Sequence, residues 1–290
     1  MMGRQHERIR VAAHSSAHGT WRVDSLTPTA RMAPFVRQVY AYAESGTPFS
    51  RRRELPIGDA VLIFNLGPEL RIEHPRPTRS RFAAGSGFYS GPSPNYAVSE
   101  TDGAQEGVQV MLTLLGARAL LGRPLGAIGD GLTPPGEVLG NAAGEIAGRL
   151  GEARSPAERL VMMEAALERR FAQGIPVRRE LVWAWRRIEA GGGRVRIGAL
   201  AAELGCSRKH LAVGFRHEFG ITPKLLGRIL RFRAALGRIQ SGAFTGWAAL
   251  AAECGYADQA HLAREFRAFA GSAPTEFLRH RLPDDGGFVD

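Results

Sequence analysis

The chain has 290 residues, 44% hydrophobic and 23% charged, a globular balance with room for two domains rather than that of a disordered or membrane protein. No run approaches the ~18 consecutive apolar residues that would span a bilayer, and two cysteines, Cys206 and Cys254, are too few for a disulfide framework. The net charge of +10 is concentrated late in the chain: residues from Ile175 onward carry 18 Lys or Arg against 11 Asp or Glu, and the first 174 carry 20 against 17, so nucleic acid is the first candidate partner and an anionic membrane surface the second.

Residues 1–20 hold His6, His14 and His18 among small and polar residues without periodicity, which predicts a flexible tail. The basic N-terminus has no apolar run behind it, so the expectation is no secretory signal and a cytoplasmic protein. Between Trp21 and Leu125 the apolar runs are short and punctuated by turns at Gly67-Pro68, Gly91-Pro92 and Ser93-Pro94. Val61-Leu62-Ile63-Phe64 reads as a buried strand, and Val108, Val110, Leu112 and Leu114 alternate with Gln109, Met111 and Thr113, as in a strand with two unlike faces. The region therefore reads as a mainly β sandwich or barrel.

Helical signals take over after Gly116. Ser155-Pro156-Ala157-Glu158 combines an N-cap, a proline at the first helical position and a glutamate placed for a capping box. Leu160, Met163, Leu167 and Phe171 follow as one apolar stripe, expected to pack on the β region, with dimerisation the other use of such a face. Gly174-Ile175-Pro176 ends the helix and marks a domain boundary, giving residues 21–174 as a first domain.

The C-terminal third contains a duplication. LAAELGCSRKHLAVGFRHEFGITP begins at Leu200 and LAAECGYADQAHLAREFRAFAGSAP at Leu250, and the same Gly, Phe, Gly and Pro landmarks recur at an offset of 50 and then, past one insertion, of 51. Ala201 and Ala251 leave room for a second helix to cross closely. Gly205 and Gly255 permit the positive φ that ends a first helix, and Ser207 and Asp258 can cap the next. Leu211, Phe215 and Phe219 stripe one face of that helix in copy one, as Leu262, Phe266 and Phe269 do in copy two; Gly220 and Gly271 stop the helices before Pro223 and Pro274. The pattern is two helix-turn-helix units, at about 197–219 and 247–270. Between them, Leu225, Ile229, Phe232, Leu236 and Ile239 mark an amphipathic linker helix of 18 residues, roughly 27 Å long at ~1.5 Å per residue. That length suits two recognition helices about one DNA turn apart, roughly 34 Å.

A helix so supported can lay its exposed face in the major groove, where base edges carry a unique donor and acceptor code. The exposed set is Ser207, Arg208, Lys209, Ala212, Val213 and Arg216 in copy one, and Gln259, Ala260, Ala263, Arg264 and Arg267 in copy two. Gln pairs bidentately with adenine and Arg with guanine, so copy two is the better equipped to read bases; the remaining arginines suit phosphates.

Three elements make residues 178–282 resemble the DNA-binding domain of AraC/XylS-type transcription regulators: SRKHLAVGF followed by FGITP, Arg231-Phe232 with Ala235 in the linker helix, and CGYADQAHLAREF followed by AGSAP. The stretches RRRELPIGDAVLIFNLG and GVQVMLTLLGARALLGRPL resemble the regulatory domains attached to some members. The resemblance implies an α+β protein: a mainly β, cupin-like N-terminal domain with trailing helices that senses a small-molecule effector or mediates dimerisation, and an all-α C-terminal domain of two helix-turn-helix units joined by a long linker helix. It implies double-stranded promoter DNA as partner, with RNA polymerase, an unidentified effector and a second copy of the chain as further partners, and neither metal, cofactor nor membrane. The protein so implied is an activator or repressor, not an enzyme. The family commonly has Arg or another polar residue where Val213 stands, so copy two is expected to supply most of the specificity, and copy one mostly affinity and register.

Two alternatives stay open on the residues. An architectural, sequence-indifferent DNA binder fits the weak base-reading set of copy one. A cupin-type enzyme fused to a DNA-binding domain would need clustered His and carboxylate ligands, and His74 stands alone. Cys206 and Cys254 read as small packing residues rather than reactive thiols, and His210 and His261, matched across the repeat, as sharing a packing or capping role.

Overall fold

The computed structural model describes residues 7–17, 19–47, 51–73, 79–128, 131–172 and 177–279. The chain opens with β1 (Ile9–Ser16) and β2 (Gly19–Leu26), continues through β3 (Val36–Ser45), β4 (Arg51–Glu54), β5 (Ala60–Asn65), β6 (Leu70–Glu73), β7 (Arg79–Phe82), β8 (Gly87–Ser90) and β9 (Ala97–Glu100), and reaches β10 (Ala104–Leu112) and, later, β11 (Leu132–Thr133). A seven-stranded antiparallel sheet in the order β1-β2-β3-β10-β5-β8-β11 faces a four-stranded one in the order β4-β9-β6-β7. Ile9–Ser16 is paired along its whole length with Gly19–Leu26, so this stretch is an edge strand rather than a flexible tail. The lack of an apolar pattern that suggested a tail reflects an edge exposed on both faces, where hydrogen bonds and not burial hold the strand.

Period-two alternation gives the large sheet two faces. Val39, Ala41, Leu62, Phe64, Val108, Val110 and Leu112 are buried on one face. They pack there against α1 (Leu114–Leu121), α2 (Pro135–Leu139), α3 (Ala142–Glu152) and α4 (Pro156–Phe171) through Leu120, Val138, Leu150, Leu160, Met163 and Leu167. The apolar stripe of α4 is thus used on the β domain. Leu114, read from its alternation as a strand residue, is instead the first residue of α1: Thr113 caps the helix by accepting from Gly116 N at 2.9 Å, and its hydroxyl donates to Pro34 O at 2.7 Å. Ser155 caps α4 as its motif requires, accepting from Glu158 N at 3.2 Å, while Glu158 accepts from the Arg154 amide at 2.8 Å.

On the other face of the sheet, Tyr40, Tyr42, Glu44, Val61, Ile63, Gln105, Gln109 and Met111 line a cavity of about 630 Å³ closed by Arg52, Glu54, Leu70, Ile72, Ala97 and Ser99 of the small sheet. The polar residues of the alternating β10 pattern face this interior and not bulk water.

The helical half comprises α5 (Arg179–Ala190), α6 (Ile197–Glu203), α7 (Arg208–Phe219), α8 (Pro223–Gln240), α9 (Trp247–Glu253), α10 (Gln259–Ala270) and α11 (Pro274–Arg279) around one apolar core. The linker helix α8 buries Leu226, Ile229, Phe232, Ala235 and Ile239, whereas Leu225 and Leu236 are only half-buried. The buried face is centred on the expected stripe but is wider, taking in Leu226 and Ala235, because α8 packs against α5, α7, α9 and α10. The boundary motif Gly174-Ile175-Pro176, and the isolated His74, lie outside the described residues. Among the described residues no helix is long and apolar enough to cross a membrane.

Candidate nucleic-acid interface

Each repeat builds a short supporting helix, a tight turn and a recognition helix. Gly205 (φ +64°) and Gly255 (φ +77°) supply the left-handed residue that turns α6 into α7 and α9 into α10. Ser207 then accepts from His210 N at 3.1 Å, and Asp258 from His261 N at 2.6 Å, satisfying N-terminal amides of the recognition helices. Ala201 and Ala251 are buried at the crossing points. Phe215 and Phe219 stack edge-on within copy one, and Phe266 packs against Phe232 and Phe277 in copy two, so each recognition helix is anchored through its inner face.

The outer faces carry the expected site residues. On α7 and its cap, Ser207, Arg208, Lys209 and Arg216 are exposed and Ala212 is half-buried; Val213 is exposed beside them. On α10, Gln259, Ala260, Arg264 and Arg267 are exposed and Ala263 is half-buried. The two histidines share one place in the cap, each giving its backbone amide to the N-cap side chain, but their rings differ. The His261 ring accepts from Ala257 N at 3.4 Å and sits edge-on to Tyr256, while His210 is exposed. Cys254 is buried, which raises its thiol pKa through desolvation, and Cys206 is half-buried.

What the sequence reading missed is how the β half holds the C-terminal turns of the recognition helices. Arg118 of α1 pairs with Glu218 of α7, both buried. Gly126, in the turn after α1, lies so close to α7 that a Cβ there would stand 2.7 Å from Arg216 O and 2.8 Å from His217 O. At the other recognition helix, Arg53 Nη1 donates to Ala270 O at 2.6 Å and lies over the Tyr96 ring, which itself packs on Gly271. A cation at a helix C-terminus meets the negative end of the helix dipole. The linker helix is held too: Arg233 donates to Ile57 O at 2.8 Å and to Asp59 at 3.4 Å, and Asp59 also faces Arg37, which pairs with Glu189 of α5. One signal was present, because Arg118 and Glu218 are each a lone charge inside an otherwise apolar helical stripe; their pairing was not deducible.

Residues 200–280 match a family model described as a helix-turn-helix domain. No curated protein matches the chain. Among solved structures, an apo variant of ToxT from Vibrio cholerae aligns with a TM-score of 0.51 at 11% identity, covering 92% of this chain and 99% of that one. Another ToxT structure from Vibrio cholerae, at 1.65 Å, aligns with a TM-score of 0.49 at 14% identity, covering 83% and 97%. At such identity the first likeness shows a shared fold, a β domain followed by paired helix-turn-helix units.

Proposed function

We propose that the chain is a DNA-binding transcription regulator whose helix-turn-helix domain is of the AraC/XylS type, and that α7 and α10 enter successive major grooves of promoter DNA. In this reading Gln259 and Arg264 contact base edges, with Ala260 and Ala263 allowing close approach, while Ser207, Arg208, Lys209, Arg216 and Arg267 hold phosphates and Ala212 lets α7 sit close to the duplex. The observation that carries it is the placement of the charges. Both recognition helices bury their aromatic faces and turn cationic faces to solvent, and among the described residues the β half touches them towards their C-terminal ends, through Gly126 and Arg118 on α7 and Arg53 on α10.

The β half supports control by a small molecule. Its cavity has the size of a typical ligand pocket and joins apolar walls to a few convergent polar groups, Glu44, Arg52, Glu54 and Gln105 among them. Residues 52–59 connect it to the DNA-binding half. Arg52 lines the cavity and pairs with Glu44; Arg53, on the opposite side of the same strand, holds the end of α10. Leu55, Pro56 and Ile57 line the cavity again, and Ile57 O and Asp59 receive Arg233 of the linker helix. An effector that displaces residues 52–59 would therefore act on both recognition helix and linker at once. The protein so read works in the cytoplasm with RNA polymerase, on operators that two copies can share.

The test is selection of bound duplexes from a random pool by the full chain, followed by affinity measurements. Arg264→Ala should weaken the selected duplex at least about five-fold more than a random one, the loss of one bidentate base contact. Arg216→Ala should weaken both alike and reduce the salt slope by roughly one phosphate. Equal losses for Arg264→Ala on both duplexes would leave only a sequence-indifferent binder.

A further inference from the structure

Three large apolar side chains are exposed among the described residues: Val11, Trp183 and Val213. Val11 belongs to the edge strand β1, and Trp183 is partly covered by the Arg187 guanidinium, 5.6 Å from its ring. Val213 is the most exposed of the three at 63%, and it stands in the middle of the outward face of the first recognition helix. Lys209 lies four residues before it and Arg216 three after, so the three share one helical face; the only acidic residue of that helix, Glu218, is turned away and buried against Arg118. An isolated apolar group in a cationic frame is unsuited to a protein core contact, and it is suited to a polyanion that carries one apolar spot at a defined place.

The major groove offers such a spot. Of the groups displayed there by the four base pairs, the C5-methyl of thymine is the one apolar group that projects into the groove, beside the small C5–H of cytosine; the others are donors and acceptors that a valine would leave without partners. Valine is also stiff in a helix, where one χ1 rotamer dominates, so its two methyls are placed before contact and lose little freedom on binding. An arginine at this position would seek the paired acceptors of guanine. We infer that Val213 reads thymine through its methyl group and makes the first recognition helix a specificity element in its own right, with Lys209 and Arg216 straddling the phosphates on either side. The expectation that this helix contributes mostly affinity and register is thereby revised. The inference rests on α7 entering the major groove, as proposed above.

The decisive probe is deoxyuridine, which keeps every hydrogen bond of thymidine and lacks only the methyl. The full chain is used to select a duplex, and each thymidine of that duplex is replaced singly by deoxyuridine. At one or two adjacent positions the loss should be about four-fold, the worth of one buried methyl group. Val213→Ala should bind the thymidine and deoxyuridine duplexes equally well at those positions, while keeping sensitivity to Arg264→Ala. Val213→Ile should retain the discrimination. Should no thymidine matter to the unmodified chain, or should Val213→Ala keep the methyl preference, the assignment is overturned while sequence-specific binding stands. Should the chain select no duplex at all, both this inference and the groove reading fall.

Discussion

Asp59 is 4% exposed and has an arginine from each half of the molecule against it, Arg37 from β3 and Arg233 from the linker helix. Burial pushes its carboxyl above the ordinary aspartate range, and the two guanidiniums offset only part of that; Glu189, also paired with Arg37, is raised for the same reason. A raised carboxyl contributes stability that is present below the ordinary value of ~3.9 and is lost as pH rises through the folded-state value. Asp59→Asn should therefore flatten the fall in stability that sets in as pH rises above about 4, as read by urea unfolding at a series of pH values from about 4 to neutrality. An unchanged slope would mean that Asp59 is not the group that titrates. At the same scale, every side chain assigned to the DNA face was nameable from the sequence, because the repeat and the helical period together fix which residues point away from the phenylalanines. The residues that line the cavity were not. Gln105 and Gln109 look like solvent-facing positions until a second sheet is laid over them.

Elements hold together here through a few close backbone approaches. Gly193, in the loop after α5, has φ +74°, and a Cβ on it would stand 2.1 Å from Gly227 O of the linker helix. Gly193→Ala should cost at least about 2 kcal/mol, since left-handed backbone alone costs an L-residue ~1 to 2 and the contact cannot relax without moving α8. A thermal melt that stays within one degree of the parent would contradict this packing. Element boundaries in the helical half were legible because caps and stops are local: Ser207, Asp258, Gly220 and Gly271 act within one turn. The edge strand β1 was not, since its partner and not its own pattern makes it a strand.

At the scale of the whole molecule, the two halves are joined by buried charge. Arg118→Ala would leave Glu218 buried and unpaired, and should destabilise the protein by about 3 kcal/mol. The double change Arg118→Met with Glu218→Leu should recover most of that, because apolar groups of similar size remove both desolvation costs. Failure of the double variant to recover would place the cost in packing and not in the ion pair. Arg53→Ala, by contrast, should leave stability nearly unchanged and lower affinity for the selected duplex by loosening the end of α10, measurable by titration at fixed salt.

By itself the sequence determined the two helix-turn-helix units, the faces they present and the β character of the first half, because each of these follows from periods, caps and turns that act over a few residues. The tertiary structure decided the rest: which polar strand face encloses a cavity, which buried charges find each other across 100 residues between Arg118 and Glu218, and how the segment between Arg52 and Asp59 touches cavity and DNA-binding helices in turn. Those depend on contacts between elements distant in the chain, where no local pattern records the partner.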